Sequence, residues 1–268
     1  MRVAVVQVAT SLDLAENRRL VAERTDAAAQ AGASLVVFPE ATMCAFGPPD
    51  VDLGSVAEPL GGPFVERLLE ESARHRLTVV AGMFERSRDP ARVYNTVVVA
   101  TPGGVAGAYR KLHLYDAYGA KESDRVVPGD ARQSPVTFTV PEEPGLTCGV
   151  MTCYDLRFPE MGRVLVDAGA GLFVLPAHWY NGPGKAETWE TLIRARAIEN
   201  TAYVVAAGKP EDEAVGRSSV VGPGGEVLGA LGGKDEDVLV ADVSAARLNA
   251  VRAALPALGH RRFRVVPG

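Results

Sequence analysis

Leu146–Glu160 reads LTCGVMTCYDLRFPE, and its three parts decide the architecture. Leu146–Thr152 is a short β-rich run. Cys153 stands where that run stops, and Pro159, with its fixed φ, suits the first turn of a helix predicted over Pro159–Ala168. A strand that turns sharply into a helix is the joint of layered α/β proteins, which carry reactive side chains at such strand ends.

The same alternation extends in both directions. Further strands are predicted over Arg2–Ala9, Ser34–Phe38, Thr78–Arg86, Val93–Ala100, Val105–Tyr109, Gly171–Leu175, Ala202–Gly208, Arg217–Val221, Val227–Ala230 and Val238–Ala241. Further helices are predicted over Leu14–Ala31, Pro63–Arg76, Lys185–Asn200 and Ser244–Leu255. Leu14, Val21 and Ala28 recur on one helical face; Asp13 can cap that helix and Gly32 can end it. Runs such as Leu35–Phe38 are apolar throughout and predict strands covered on both faces. Thr101–Gly104 and Gly222–Gly225 read as hairpin loops, so the sheet is mixed. About eleven strands exceed what one twisted sheet carries, which points to two packed sheets. With no repeat, linker or low-complexity tract, residues 1–268 read as one domain.

Composition narrows the classes. The net charge of -5 argues against nonspecific nucleic-acid binding, which needs a dense basic surface. The three cysteines, Cys44, Cys148 and Cys153, form no CxxC pair and fit a reducing compartment. MRVAVVQVAT lacks the parts of a signal peptide, and no apolar run approaches the ~18 residues of a membrane span, so a cytoplasmic protein is expected. There is no GxxxxGK[ST] loop, no GxSxG elbow and no histidine spacing that suggests zinc. Cys148, five residues before Cys153, is expected to point to the opposite face if the strand is regular through both.

Three strand ends carry chemistry: Glu40 after Leu35–Phe38, Lys111 after Val105–Tyr109, and Cys153. A cysteine in a sharp elbow exposes its sulfur near backbone N–H groups able to hold an oxyanion, and it needs a base close by. No histidine stands in a motif for that role; a glutamate could take the proton and a neighbouring lysine could stabilise the negative intermediate. For Glu40 to shuttle protons near neutrality, its pKa would have to be raised by burial, balanced by Lys111. From the residues alone each has a plainer alternative: a loop carboxylate, a surface cation, a small core thiol.

Together, Phe38-Pro39-Glu40, Tyr109-Arg110-Lys111-Leu112-His113-Leu114 and Cys153-Tyr154-Asp155-Leu156-Arg157-Phe158-Pro159-Glu160 resemble the three motifs of the nitrilase superfamily of carbon–nitrogen hydrolases, in the same order and across nearly the whole chain. The resemblance implies an α-β-β-α sandwich of two mixed sheets and hydrolysis of a small amide through a cysteine thioester. It also implies Glu40, Lys111 and Cys153 as the catalytic residues, with no metal and no organic cofactor. It places Glu122 as a supporting glutamate beside the lysine and the Tyr154 N–H as second oxyanion donor. The nucleophile motif and Arg194–Asn200 look closest to the Nit-type branch, with its omega-amidases and deaminated-glutathione amidases. The segment after Pro176, AHWYNGPGKAETW, departs from that branch, and there His178, Trp179 and Tyr180 are expected to line or roof the pocket. Arg157 would either pair with a substrate carboxylate or bond neighbouring carboxylates, the second being preferred. An N-carbamoyl hydrolase, an acyltransferase, a catalytically silent relative and, apart from the resemblance, an α/β nucleotide binder are the alternatives. The resemblance also implies a homodimer joined around Pro159–Ala168 and Lys185–Asn200, with Gly259–Arg264 reaching across the partner.

Overall fold

The computed structural model describes residues 1–267. The first sheet combines β1 (Arg2–Gln7), β2 (Leu35–Val37), β3 (Thr78–Arg86), β4 (Val93–Thr101), β5 (Gly104–Arg110) and the late strand β12 (Asp237–Asp242), in the order β12-β1-β2-β3-β4-β5. The second combines β6 (Thr137–Thr139), β7 (Thr147–Val150), β8 (Leu172–Pro176), β9 (Tyr203–Ala207), β10 (Ser219–Val221) and β11 (Val227–Ala230), in the order β11-β10-β9-β8-β7-β6. In each sheet three neighbouring strands are parallel (β1, β2, β3; β7, β8, β9), with antiparallel strands on both sides. The two halves therefore repeat one topology.

Helices α1 (Leu14–Gln30) and α3 (Pro63–His75) cover one sheet, and α4 (Pro159–Asp167) and α5 (Lys185–Asn200) cover the other. The short α2 (Leu53–Val56) lies between β2 and α3, and α6 (Ala245–Ala254) follows β12. The sheets face each other through β1 on β9 and β2 on β8, which makes the α-β-β-α sandwich. Period-two alternation divides the core. Val3 and Val5 pack with Val174 and Val205 between the sheets, while Ala4 and Val6 pack with Val21, Phe64 and Leu68 beneath the helices.

Local chemistry sets the element ends. Asp13 accepts N–H bonds from Ala15 at 2.8 Å and Glu16 at 3.0 Å, and Gly32 follows α1 at φ +80°. Pro63 and Pro159 stand in the first turns of α3 and α4. Both predicted hairpin loops join antiparallel neighbours, β4 to β5 and β10 to β11. The strand missing from the sequence reading is β6, a three-residue edge that follows Ser134-Pro135; so short a segment carries no readable period. The condition set for Cys148 is not met: β7 ends at Val150, so the alternation does not reach Cys153, and both cysteines are buried. Among the described residues no helix is long and apolar enough to cross a membrane.

Candidate active site

Cys153 opens a 3-10 turn, Cys153–Arg157, between β7 and α4, with φ at +47°. A non-glycine residue rarely holds that conformation, so the surroundings must fix it. They do so through a capping box. Thr152 and Asp155 bond each other's backbone, and the Thr152 N–H donates to Asp155 Oδ2 at 2.9 Å. Asp155, fully buried, also accepts the Tyr109 hydroxyl at 2.6 Å and pairs with His113 Nδ1 at 2.7 Å. Tyr109 and His113 flank Lys111, so this one carboxylate ties the cysteine turn to the lysine strand. His113 in turn stacks on Phe158, with ring centres 3.7 Å apart.

Glu40 follows β2 and is buried. Lys111 Nζ donates to Glu40 Oε1 at 3.0 Å and to Glu122 Oε2 at 2.8 Å. Asn95 Nδ2 bridges the same two carboxylates, at 2.8 Å to Glu40 Oε1 and 3.2 Å to Glu122 Oε1. The other Glu40 oxygen, Oε2, accepts the His178 N–H at 2.8 Å, and the His178 carbonyl lies 3.4 Å from Cys153 Sγ. Glu40, Lys111, Glu122, Cys153, Tyr154, His178 and Trp179 all line one cavity of about 490 Å³. Its apolar wall comes from Phe46, Pro48, Pro49 and Leu53, a loop fastened where Arg125 Nη2 donates to the Phe46 and Val51 carbonyls at 2.8 and 2.9 Å.

Burial and neighbouring charges act on each of these groups in opposite directions. Burial alone would push the Glu40 carboxyl up, but the Lys111 ammonium, the Cys153 thiol and the His178 N–H hold it below the ordinary carboxylate range. This corrects the expectation that its pKa is raised. Burial pulls the Lys111 ammonium down, and Glu122 and Glu40 more than reverse that, so it stays charged. Burial and the Glu40 charge push the Cys153 thiol well above its usual value, against the pull of Lys111. The resting site is thus a neutral thiol beside a charged carboxylate and a charged ammonium. Burial and nearby Lys209 bring His178 down to about 4, so its ring is neutral.

Every residue expected at the site from the sequence is in this cavity. Arg157 behaves differently from the preferred expectation. Among the described residues it forms no ion pair, and its guanidinium lies 5.2 Å from the centre of the Trp179 ring. Three polar groups escaped the sequence reading. Asn95 lies inside an ordinary strand pattern and offers no signal. Asp155 lies within a quoted motif, two residues past the cysteine. Lys209 follows β9 at the same kind of strand end as Glu40 and Cys153, which is a signal that could have found it.

The chain matches the family model described as carbon-nitrogen hydrolase over residues 2–253. It is 41% identical to Hydrolase Rv0480c of Mycobacterium tuberculosis (strain ATCC 25618 / H37Rv), over 94% of this chain and 92% of that protein. It is 38% identical to the deaminated glutathione amidase of Escherichia coli O157:H7, over 98% of both chains. Among solved structures, a mutant of the amidase from Nesterenkonia sp. AN1, showing Michael addition of acrylamide at its active site cysteine, is similar with a TM-score of 0.78. That alignment has 28% identity and covers 96% of this chain and 98% of that one.

Proposed function

Since the chain belongs to the carbon–nitrogen hydrolase family and hydrolyses an amide bond other than a peptide bond, we propose that Cys153 is its nucleophile, Glu40 its general base and Lys111 its oxyanion stabiliser. Glu40, ionised beside the thiol, takes the proton of Cys153 as the sulfur attacks the amide carbon. The tetrahedral oxyanion is held by Lys111 Nζ and by the N–H of Tyr154, which lies in the first residues of a 3-10 turn, where N–H groups lack intrahelical acceptors. Glu40 returns the proton to the leaving nitrogen, and ammonia or an amine departs. Glu40 then activates water to hydrolyse the thioester. Glu122 and Asn95 keep the ammonium aimed, and His178 and Trp179 line the substrate space.

The observation that carries this reading is the shared ammonium: Lys111 Nζ is held between the buried carboxylate of Glu40, which also faces the thiol, and the partly buried carboxylate of Glu122. The substrate we favour is a small amide of the omega-amide or deaminated-glutathione kind, as for the Escherichia coli relative. The whole chain would act as one domain. We place it in a reducing, cytoplasmic setting, supported by three unpaired cysteines. We infer a homodimer through α4 and α5, supported by the exposed Ile198 on α5; a monomeric mass in light scattering would remove that part.

The test is an ammonia-release panel of short-chain, dicarboxylic and carbamoyl amides, with single-turnover mass spectrometry on Cys153. An acyl adduct supports the amidase and a carbamoyl adduct the N-carbamoyl hydrolase. Transfer of the acyl group to an added amine in place of water marks an acyltransferase. Full turnover by Cys153→Ala ends the nucleophile assignment.

A further inference from the structure

Behind the cavity lies a charged side chain that this mechanism does not use. Lys209 follows β9, is completely buried, and ends against the segment that carries Glu40. Its Nζ donates to the carbonyl of Ala41 at 3.1 Å and to the hydroxyl of Thr10, and it lies 3.4 Å from Glu211 Oε1. The same Glu211 oxygen accepts the Thr10 N–H at 3.2 Å, and the Thr10 hydroxyl reaches the Ala41 carbonyl at 3.3 Å. The other Glu211 oxygen lies 3.4 Å from His178 Nδ1. His178 is the residue whose N–H holds Glu40.

Two features make this more than a filled corner of the core. First, Ala41 has φ +54°, a strained conformation for alanine immediately after Glu40. A carbonyl turned by that strain needs a donor, and a buried ammonium is a strong one. Second, a buried ammonium carries a heavy desolvation cost unless it is paired. A methionine or leucine would fill the volume without that cost. Lys209 has one direct carboxylate partner, Glu211, with Glu40 as the further negative charge that stabilises it.

We propose that Lys209 is a positioning residue for Glu40: it pins the Ala41 carbonyl and sets a buried positive charge behind the segment that carries the carboxylate. The inference rests on Glu40 being the base. The groups facing the ammonium are Glu211 from its own loop, Glu40 and Cys44 from the segment after β2, and His178 from the segment after β8. Burial pulls the Lys209 ammonium down while Glu211 and Glu40 push it up, and it acts on His178 in the direction that keeps the ring neutral. Removing the cation therefore favours the protonated carboxyl of Glu40, and the acid limb of the site's reactivity moves to higher pH.

The test compares Lys209→Gln, which retains a donor for Ala41 without charge, with Lys209→Met, which removes both. The rate of Cys153 alkylation by iodoacetamide is followed across pH, with peptide mass spectrometry locating the label. Both variants should shift the acid limb upward by about one pH unit. Lys209→Met should also lower the plateau by ~10-fold, which Lys209→Gln largely restores. A limb that stays at the wild-type pH in folded Lys209→Gln overturns the proposal. Glu40→Gln is run in parallel. If it abolishes the pH limb while Lys209→Gln leaves it in place, Lys209 alone is misassigned. If Glu40→Gln keeps the wild-type limb, the base assignment fails and this inference fails with it.

Discussion

Replacing Gly82 with alanine should separate the position of Glu40 from its chemistry. Gly82 lies in β3 beside the segment that carries the carboxylate: its N–H donates to the Pro39 carbonyl at 3.3 Å, and its carbonyl accepts the Met43 N–H at 3.0 Å. A methyl group added there would stand 2.5 Å from the Ala41 nitrogen, 2.9 Å from the Glu40 Cα and 3.0 Å from the Glu40 carbonyl carbon. All three are backbone atoms, so no side-chain rotation relieves the overlap. Ordinary contact begins near 3.4 Å, so the Glu40–Ala41 backbone must retreat by nearly 1 Å. A displacement of that size at a reacting group costs ~10²-fold in rate. Overpacking adds about 1–3 kcal/mol of destabilisation, a fall in Tm of roughly 2–12 °C. Gly171→Ala is the control. Its methyl would press on the side-chain ends of Leu248 and Leu146, so it should lower Tm and leave kcat unchanged. Steady-state kcat on the best amide, alongside calorimetry, decides the matter. A folded Gly82→Ala protein with wild-type kcat would refute the claim that this close approach positions the proposed base.

Two further outcomes are expected. Asp155→Asn replaces a buried acceptor of four hydrogen bonds by an amide that presents N–H to donors; it should cost about 2–4 kcal/mol in urea unfolding and lower kcat with it, whereas loss of stability with intact kcat would mean that the tie to the lysine strand is dispensable. His178, whose charged form the fold disfavours, contributes stability that is present above pH 6.5 and lost as pH falls toward about 4, worth about 3 kcal/mol in all. His178→Phe, which keeps the aromatic contacts to Phe46 and Tyr180, should flatten that part of the stability profile; unchanged acid sensitivity in the variant would assign it elsewhere.

The sequence disclosed elements wherever a period or a punctuating residue was present. The apolar run Leu35–Phe38, the Thr101–Gly104 turn and the Asp13 cap with its Gly32 stop are local signals, and the structure uses each. What stayed hidden depends on distance in space. That Asn95 bridges Glu40 and Glu122 cannot be read from Tyr94-Asn95-Thr96, since the bond spans residues far apart in sequence. The direction of the Glu40 shift was hidden for the same reason. Burial favours the neutral acid and Lys111 favours the charged one, and the balance depends on a 3.0 Å contact that only the fold determines. Arg157 looked like half of an ion pair, but its orientation over Trp179 follows from the turn that begins at Cys153.

One geometric rule accounts for most of the site. Thr10 follows β1, Glu40 follows β2, Cys153 follows β7, His178 follows β8 and Lys209 follows β9, each two or three residues past the last paired residue. All five strands belong to the parallel centres of the two sheets, so their C-terminal ends open on the same edge of the sandwich. A side chain there is free of the ladder yet fixed by it, which allows strained values such as φ +54° at Ala41 and φ +47° at Cys153 to persist. Lys111 is the exception. It comes from the antiparallel strand β5, and the carboxylates of Glu40, Glu122 and Asp155 draw it and its neighbours to the common edge. Cys153 and Glu40 are therefore set by sheet geometry, and Lys111 by electrostatics. Loss of the Glu122 carboxylate should disturb Lys111 before it disturbs Cys153.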